Sequence, residues 1–429
     1  MKPATLFSAV MVGTVTASVG IVGPAAFADQ DYPSWNDVQK AKQSEATKRV
    51  EIDKITALLA GLQAASAEAS KASLIAAEAY RVTQDQLDAA TTRESNLIRQ
   101  TDAAQARADT SKMRAGLIAA HLAKAGAQDL SLNLFLNGNS ANDLLHQLGT
   151  ASKLAEQSET IYRQAVQDKN TAESLAEQAA SAQAERERLT AESKATFDKA
   201  NVAAQAAQAV LEAEQKKSSE LYEQLALLKD TTAEAERAYQ TGVDAAAAAM
   251  AFAQAQAAAA VKAAAAAEAA DPVPSDSDSD AGGDSSSGSS GGASSGGYVP
   301  VPNTSAVNTA LGFARAQLGD RYLLNGYGPD VWDCSGLTKA AYAAAGIYIG
   351  THSATNQYNT MAGQGRLVSF SQVQAGDLVF WGSPGNYYHV ALYVGDGQVL
   401  EAPNPSQPVR VHSIWSFGDV ASYVGRPSA

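Results

Sequence analysis

One cysteine, one histidine and one carboxylate in the last 126 residues are spaced to do acyl chemistry together. Cys334 is the only cysteine among 429 residues. It follows Asp333 and opens a run through Tyr342 that reads as a helix, with Asp333 as its cap and Gly346 as its stop. A thiol in a first helical turn meets the positive end of the helix dipole and unpaired backbone N–H groups, which favour a thiolate. His389 and Glu401 lie in two strand-like runs, 389–394 and 398–402, joined by Gly395-Asp396-Gly397 as a tight hairpin. If those three residues form the loop, Val394 faces Gln398 and Leu392 faces Leu400. Val390, Leu392, Leu400 and Ala402 then share the buried face, and His389, Ala391, Val399 and Glu401 share the other. His389 and Glu401 become diagonal neighbours about 7–8 Å apart by backbone, a gap that long side chains bridge. A thiol hydrolase needs this set: a thiolate to attack a carbonyl, an imidazole to take and return the proton, and a third polar group to fix the imidazole.

The elements that must position these groups fill residues 304–429. A helix over 304–317, capped by Ser305 or Thr304, is expected first, and a strand over 377–381 precedes the histidine strand. Sixteen of the 28 aromatic residues lie after Asn303, so this part alone has the material for a dense core. Net charge is −7 over residues 1–270, −5 over 271–303 and −1 over 304–429. No segment carries the basic excess that phosphate neutralisation needs, so nucleic acid is excluded as an expected partner. The five histidines are scattered and no second cysteine exists, so no metal site and no cofactor are expected.

The rest of the chain is of a different kind. Lys2, the apolar run Leu6–Val22 and Ala26-Phe27-Ala28 read as an export signal over residues 1–28, cut before Asp29. No proline occurs between Pro33 and Pro272, and Ala, Glu, Gln, Lys and Leu dominate there. Residues 29–270 are therefore expected to form an α-helical coiled-coil hairpin. One run goes from Trp35 to about Gly126 with a seam through Ile52, Ile55, Leu59, Leu62, Ala69, Ala76 and Tyr80, and a second from about Thr150 to Ala269. A small leucine-rich cap of short helices at 128–149 reverses the chain. Residues 271–303, rich in Ser, Gly and Asp, cannot bury enough apolar surface to order themselves and read as a disordered linker.

Residues 306–426 resemble the NlpC/P-sixty endopeptidases, secreted cysteine peptidases of peptidoglycan stem peptides. The resemblance is carried by Tyr322, Asp333-Cys334-Ser335-Gly336-Leu337, His352-Ser353, Gln357, the run 376–381 (GDLVFW) and the run 389–395 (HVALYVG). It implies an α+β papain-like fold with Cys334 as nucleophile, His389 as base and Glu401 as the third polar residue, where many relatives have histidine. It implies that Tyr322, Asp333, Ser335 and Ser353 line the stem-peptide site, and that the bond cut joins D-glutamate's γ-carboxyl to a diamino acid. The sequence departs from the pattern at Leu323-Leu324 and at 349–352 (IGTH), loops that would line the groove. His352 is expected in that groove and His412 on the surface.

The N-terminal half is similar in architecture to PcsB-type and Rip-type cell-division hydrolases. That similarity implies a secreted, wall-associated protein whose coil meets a membrane complex of the FtsE–FtsX type. With a linker holding the domain near the coil, the hairpin is expected to mask the Cys334 groove until such a partner withdraws it. A wall-binding scaffold, and a thiol amidase or acyltransferase on the same fold, are the alternative functions.

Overall fold

The computed structural model describes residues 32–126, 141–270 and 301–429 other than 406. The export segment, the first part of the 128–149 cap and nearly all of the 271–303 linker lie outside those residues. Among the described residues, no helix is long and apolar enough to cross a membrane. The chain divides into two compact units, one comprising the described residues up to Val82 with Thr196–Ala429, the other Thr83–Ala195.

The long helices run through both units. α1 (Trp35–Ala41) is closed at its start by a capping box between Ser34 and Asp37. α2 (Glu45–Gly126) follows after a short break, and α3 (Ala141–Lys229) returns. Residues 141–149, expected within a cap of short helices, are instead the start of α3. Nor does the second run continue unbroken. Asp230 takes a left-handed conformation (φ 57°), and a separate helix, α4 (Ala233–Ala270), follows. Lys42 Nζ holds the Asp230 carboxylate at 2.6 Å, and Lys229 and Thr231 both bond Glu236, which pins the turn.

In the Thr83–Ala195 unit, α2 and α3 run antiparallel, tied by Gln84–Ser193, Glu94–Arg186 and Ser111–Asp168. One apolar cluster there joins alanines 104, 108 and 172 with Leu175, the thin seam that this composition allows. The other unit has a larger coil core. Val38, Ile55, Leu59, Leu62 and Ala69 meet Val210, Leu221, Leu225 and Leu228, so most of the expected seam up to Ala69 is buried.

The C-terminal part begins with α5 (Thr304–Arg315). Its cap is Asn303, which accepts from the N–H groups of Ser305 and Ala306; neither Ser305 nor Thr304 is the cap. Two short strands, β1 (Arg321–Tyr322) and β2 (Val331–Trp332), pair in parallel and lead into α6 (Cys334–Ala344), capped by Asp333 as expected. After α7 (Ala354–Gly363) come β3 (Leu367–Ser369), β4 (Leu378–Ser383), β5 (Asn386–Gly395), β6 (Gln398–Glu401), β7 (Arg410–Ser413) and β8 (Tyr423–Gly425). They form one antiparallel sheet in the order β3-β8-β4-β5-β6-β7.

Alternation along the strands sends side chains to both faces of this sheet. Leu378, Phe380, Val390, Leu392, Leu400 and Ala402 pack under α5, α6 and α7. The opposite face, with Val379, Trp381, Ala391, Tyr393 and Val399, is buried too, because Leu74 of α2 and Phe252 and Ala259 of α4 lie on it. Phe252 sits edge-on to Phe370 and stacked on Tyr393. The coil therefore completes the second layer of the domain's core.

Candidate active site

α6 delivers the thiol. Asp333 Oδ1 accepts from Gly336 N–H at 2.8 Å, which closes the first turn and leaves Cys334 at its start, 1% exposed. Gly336 is required here: a Cβ on it would stand 2.1 Å from Gly326 O and 2.8 Å from His352 Nε2. α6 is locked to α7 through Gln357, whose amide donates to Ser335 O at 2.8 Å and accepts from the Thr338 hydroxyl at 2.8 Å.

The β5–β6 hairpin delivers the other two groups. Leu392 pairs with Leu400 as expected, but a bulge at Val394 pairs Gln398 with Gly395, not with Val394. The turn is Asp396-Gly397, both at positive φ (52° and 68°), the twist that a two-residue hairpin needs. His389 and Glu401 keep the expected diagonal relation, and His389 Nε2 lies 3.0 Å from Glu401 Oε2 with both side chains fully buried. His389 Nδ1 is buried and makes no hydrogen bond of standard geometry. Cys334 nevertheless lies close enough to act on the imidazole electrostatically, so Nδ1 is the nitrogen left for the thiol proton.

Burial alone would lower the His389 pKa, but Cys334 and Glu401 outweigh it and hold the imidazole at about 9. For Glu401, burial works against the charge. His389, Arg410 and Trp415 overcome it and bring the carboxyl down to about 2. Sequence reasoning missed the last two. Arg410 donates to Glu401 Oε1 from Nη2 at 3.2 Å, and the Trp415 indole donates to Oε2 at 3.1 Å. Trp415 also stacks on Trp381, and both rings flank His389. Nothing local in the sequence marks them, since both come from the chain that follows β6.

Two further residues that sequence reasoning missed come from the coil. Arg81 of α2 is 1% exposed, and its Nη2 and Nε donate to Asp333 Oδ2 at 2.7 and 3.2 Å. Tyr322 lies against the same guanidinium. One turn earlier, Glu78, also 1% exposed, accepts from the Ser353 hydroxyl at 2.6 Å and from the N–H groups of Ala354 and Thr355 at 3.1 and 2.9 Å. Burial pushes the Glu78 carboxyl up, only partly offset by Arg81 and those donors. Burial would also raise Asp333, but the Arg81 charge and His352 hold it well below the usual carboxylate range.

The expected site residues thus divide. Cys334, His389 and Glu401 come together. Tyr322, Asp333 and Ser353 are gathered around two coil side chains. Ser335 is fully buried, and its hydroxyl turns to Asp333 Oδ1 at 3.3 Å. His352 bonds the same oxygen at 2.7 Å, and His412 is exposed on β7. Among the described residues, no group of three or more His, Cys, Asp or Glu could hold a metal ion.

The sequence of this part of the chain matches known proteins. The NlpC/P60 family profile matches residues 319–419. Protein P54 of Enterococcus faecium is 39% identical over 120 residues, which is 27% of this chain and 22% of that protein. A probable endopeptidase of Corynebacterium glutamicum is 37% identical over 114 residues, covering 27% of this chain and 51% of its own length. The crystal structure of the NlpC/p60 domain of the peptidoglycan hydrolase SagA is 35% identical, covering 28% of this chain and 97% of that one, with a TM-score of 0.25. The chain thus spans about half or less of those two curated relatives. Its C-terminal region is a domain of the NlpC/P60 family.

Proposed function

We propose that the chain is a peptidoglycan endopeptidase that cuts stem peptides between D-glutamate's γ-carboxyl and the following diamino acid. The observation that carries the reading is the buried His389–Glu401 pair with its free Nδ1 beside Cys334. In the reaction, His389 Nδ1 holds the thiol proton, and the thiolate Sγ attacks the amide carbonyl. Backbone N–H groups of the first turn of α6, which helix geometry leaves without intrahelical partners, face the oxyanion. The imidazolium returns its proton to the leaving amine, and the acyl-enzyme forms. Water, deprotonated by the same nitrogen, then releases the acid. Glu401, held by Arg410 and Trp415, keeps Nε2 protonated and Nδ1 facing the sulfur.

The coil keeps this machinery shut. Cys334 and His389 are 1% and 0% exposed, with Arg81 seated on Asp333 next to the cysteine and Glu78 on the start of α7, so a stem peptide has no path to the sulfur while α2 is docked. On this reading the protein is secreted to the wall and acts in cell separation. A membrane complex of the FtsE–FtsX type is the partner that draws the coil away. Mass analysis of stem-peptide digests tests the chemistry: a cut on the carboxyl side of the γ-glutamyl residue is expected. Acyl transfer in place of hydrolysis, or a cut at another amide, would replace it with the amidase or transferase reading.

A further inference from the structure

Arg410 and Trp415, the two residues that hold Glu401, also form part of the wall of a separate cleft of about 350 Å³. The domain adds Pro403, Asn404 and Gln407 from the chain between β6 and β7. The remaining wall is coil: α2 supplies Gln63, Ser66, Ser70 and Leu74, and α3 supplies Leu211 and Glu214. The whole cleft therefore exists only while coil and domain are docked. Gln63, His412 and Ser416 are exposed on it, so a solute can enter without undocking the coil. Its volume falls in the range of small-molecule sites.

The lining specifies a neutral, hydroxylated ligand. Its guanidinium, Arg410, is already paired with Glu401. Burial and that same charge hold the His412 pKa below its ordinary value, so the imidazole adds no cation for an anionic ligand. Glu214 contributes a carboxylate, which accepts hydrogen bonds and repels a second negative group. The amides of Gln63, Asn404 and Gln407 and the hydroxyls of Ser66 and Ser70 can each donate and accept. Leu74, Leu211, Pro403 and Trp415 add carbon surface between these polar groups. A pyranose ring has the matching pattern, with hydroxyls at its edge and C–H bonds on its faces. An acetamido substituent matches the side-chain amides donor for acceptor. We infer that the cleft binds a neutral sugar of the N-acetylhexosamine class, and that the bound sugar, in contact with both coil and domain, holds the coil on the Cys334 groove. Neither the binding nor its effect on docking requires that the chain cut a stem peptide.

Calorimetry on the full wild-type chain compares N-acetylglucosamine with N-acetylmuramic acid, which adds a carboxylate to the same ring. The neutral sugar is expected to bind at least about tenfold tighter, because the acid meets Glu214. Glu214→Ala should weaken N-acetylglucosamine roughly tenfold or more, and Gln63→Ala, at an exposed coil position, several-fold. The β-1,4-linked tetramer of the same sugar separates the two sources: equal or tighter binding than the monomer assigns a glycan strand, and weaker binding a free sugar. Cys334 is the only cysteine, so its labelling by a soluble thiol reagent reads docking. In the wild-type chain and in Arg81→Ala, N-acetylglucosamine at ten times its Kd should slow that labelling about tenfold. Binding of neither neutral sugar, tighter binding of the acid, or affinities unmoved by both substitutions would overturn the site. Labelling at an unchanged rate in a chain that binds the sugar would overturn its closing role.

Discussion

Replacing Arg81 by alanine should unmask the thiol, and the size of the effect can be worked from its contacts. Arg81 is 1% exposed, Asp333 beneath it is fully buried, and Glu78 beside it is 1% exposed. Removing the guanidinium leaves two carboxylates facing each other under the docked helix, with only His352 and the neutral donors as partners. Removing one partner of a buried ion pair costs about 3–5 kcal/mol, because the remaining charge stays desolvated. His352 keeps one oxygen of Asp333 satisfied, so the lower end applies, about 3 kcal/mol. In the undocked state both carboxylates are hydrated, so the cost falls on docking. At 1.4 kcal/mol per tenfold change, the undocked population rises by roughly two orders of magnitude. Cys334 is the only cysteine, so the rate of its modification by a soluble thiol reagent reads that population directly. Labelling of the Arg81→Ala chain should be about a hundredfold faster, or reach the limit of a fully exposed thiol. Hydrolysis of a soluble stem peptide should rise in parallel. Labelling at the wild-type rate in a chain that keeps its helical content would refute the reasoning, since the pair would then not hold the helix down.

Cys334→Ala and His389→Ala should each abolish hydrolysis in a chain already unmasked by Arg81→Ala; more than about a tenth of the activity in either would end the thiol mechanism. Glu401→Gln should draw the His389 pKa from about 9 toward its ordinary 6.5, read by imidazole NMR titration. The sign for stability follows. A raised histidine pKa stabilises the fold fully below 6.5, and that contribution is lost as pH rises through about 9, so the gap in Tm between wild type and Glu401→Gln should narrow over that window. Phe252→Ala removes the ring that meets Phe370 and Tyr393, and should speed Cys334 labelling without changing the activity of the unmasked enzyme. Gly336→Ala must displace Gly326 O or His352, and should lower kcat/KM even in the unmasked chain.

The clustering of Cys334, His389 and Glu401 was legible because its information is local. Asp333 caps the helix that starts at Cys334, and strand alternation puts His389 and Glu401 on one face whatever the detail of the turn. The bulge at Val394 shows why: it moved Gln398 to Gly395 but left the Leu392–Leu400 pairing and the diagonal intact. The partners of Glu401 were not legible, because Arg410 and Trp415 reach it across β7 and the chain that follows, over a separation that carries no period. The coil was legible as helix, and masking was expected of it, but the side chains that dock were not legible. Glu78 and Arg81, three residues apart on a long helix, read like any solvated ion pair, and only docking against α7 and Asp333 makes them buried. The turn at Asp230 was missed for a related reason. Asp-Thr-Thr is a weak breaker, and its left-handed residue is held by Lys42, 188 positions away.

The double use of Asp333 bears on how such an enzyme can go wrong. A mutation that frees the coil by altering the pocket, at Asp333 or Ser353, removes the contacts by which the pocket would also grip a stem peptide. Loss of restraint and loss of competence then arrive together, and the escaped enzyme is a disarmed one. Only changes on the coil side, such as at Glu78, Arg81 or Phe252, yield a hydrolase both free and intact. The hazard to the cell is thereby confined to the coil's half of the contact.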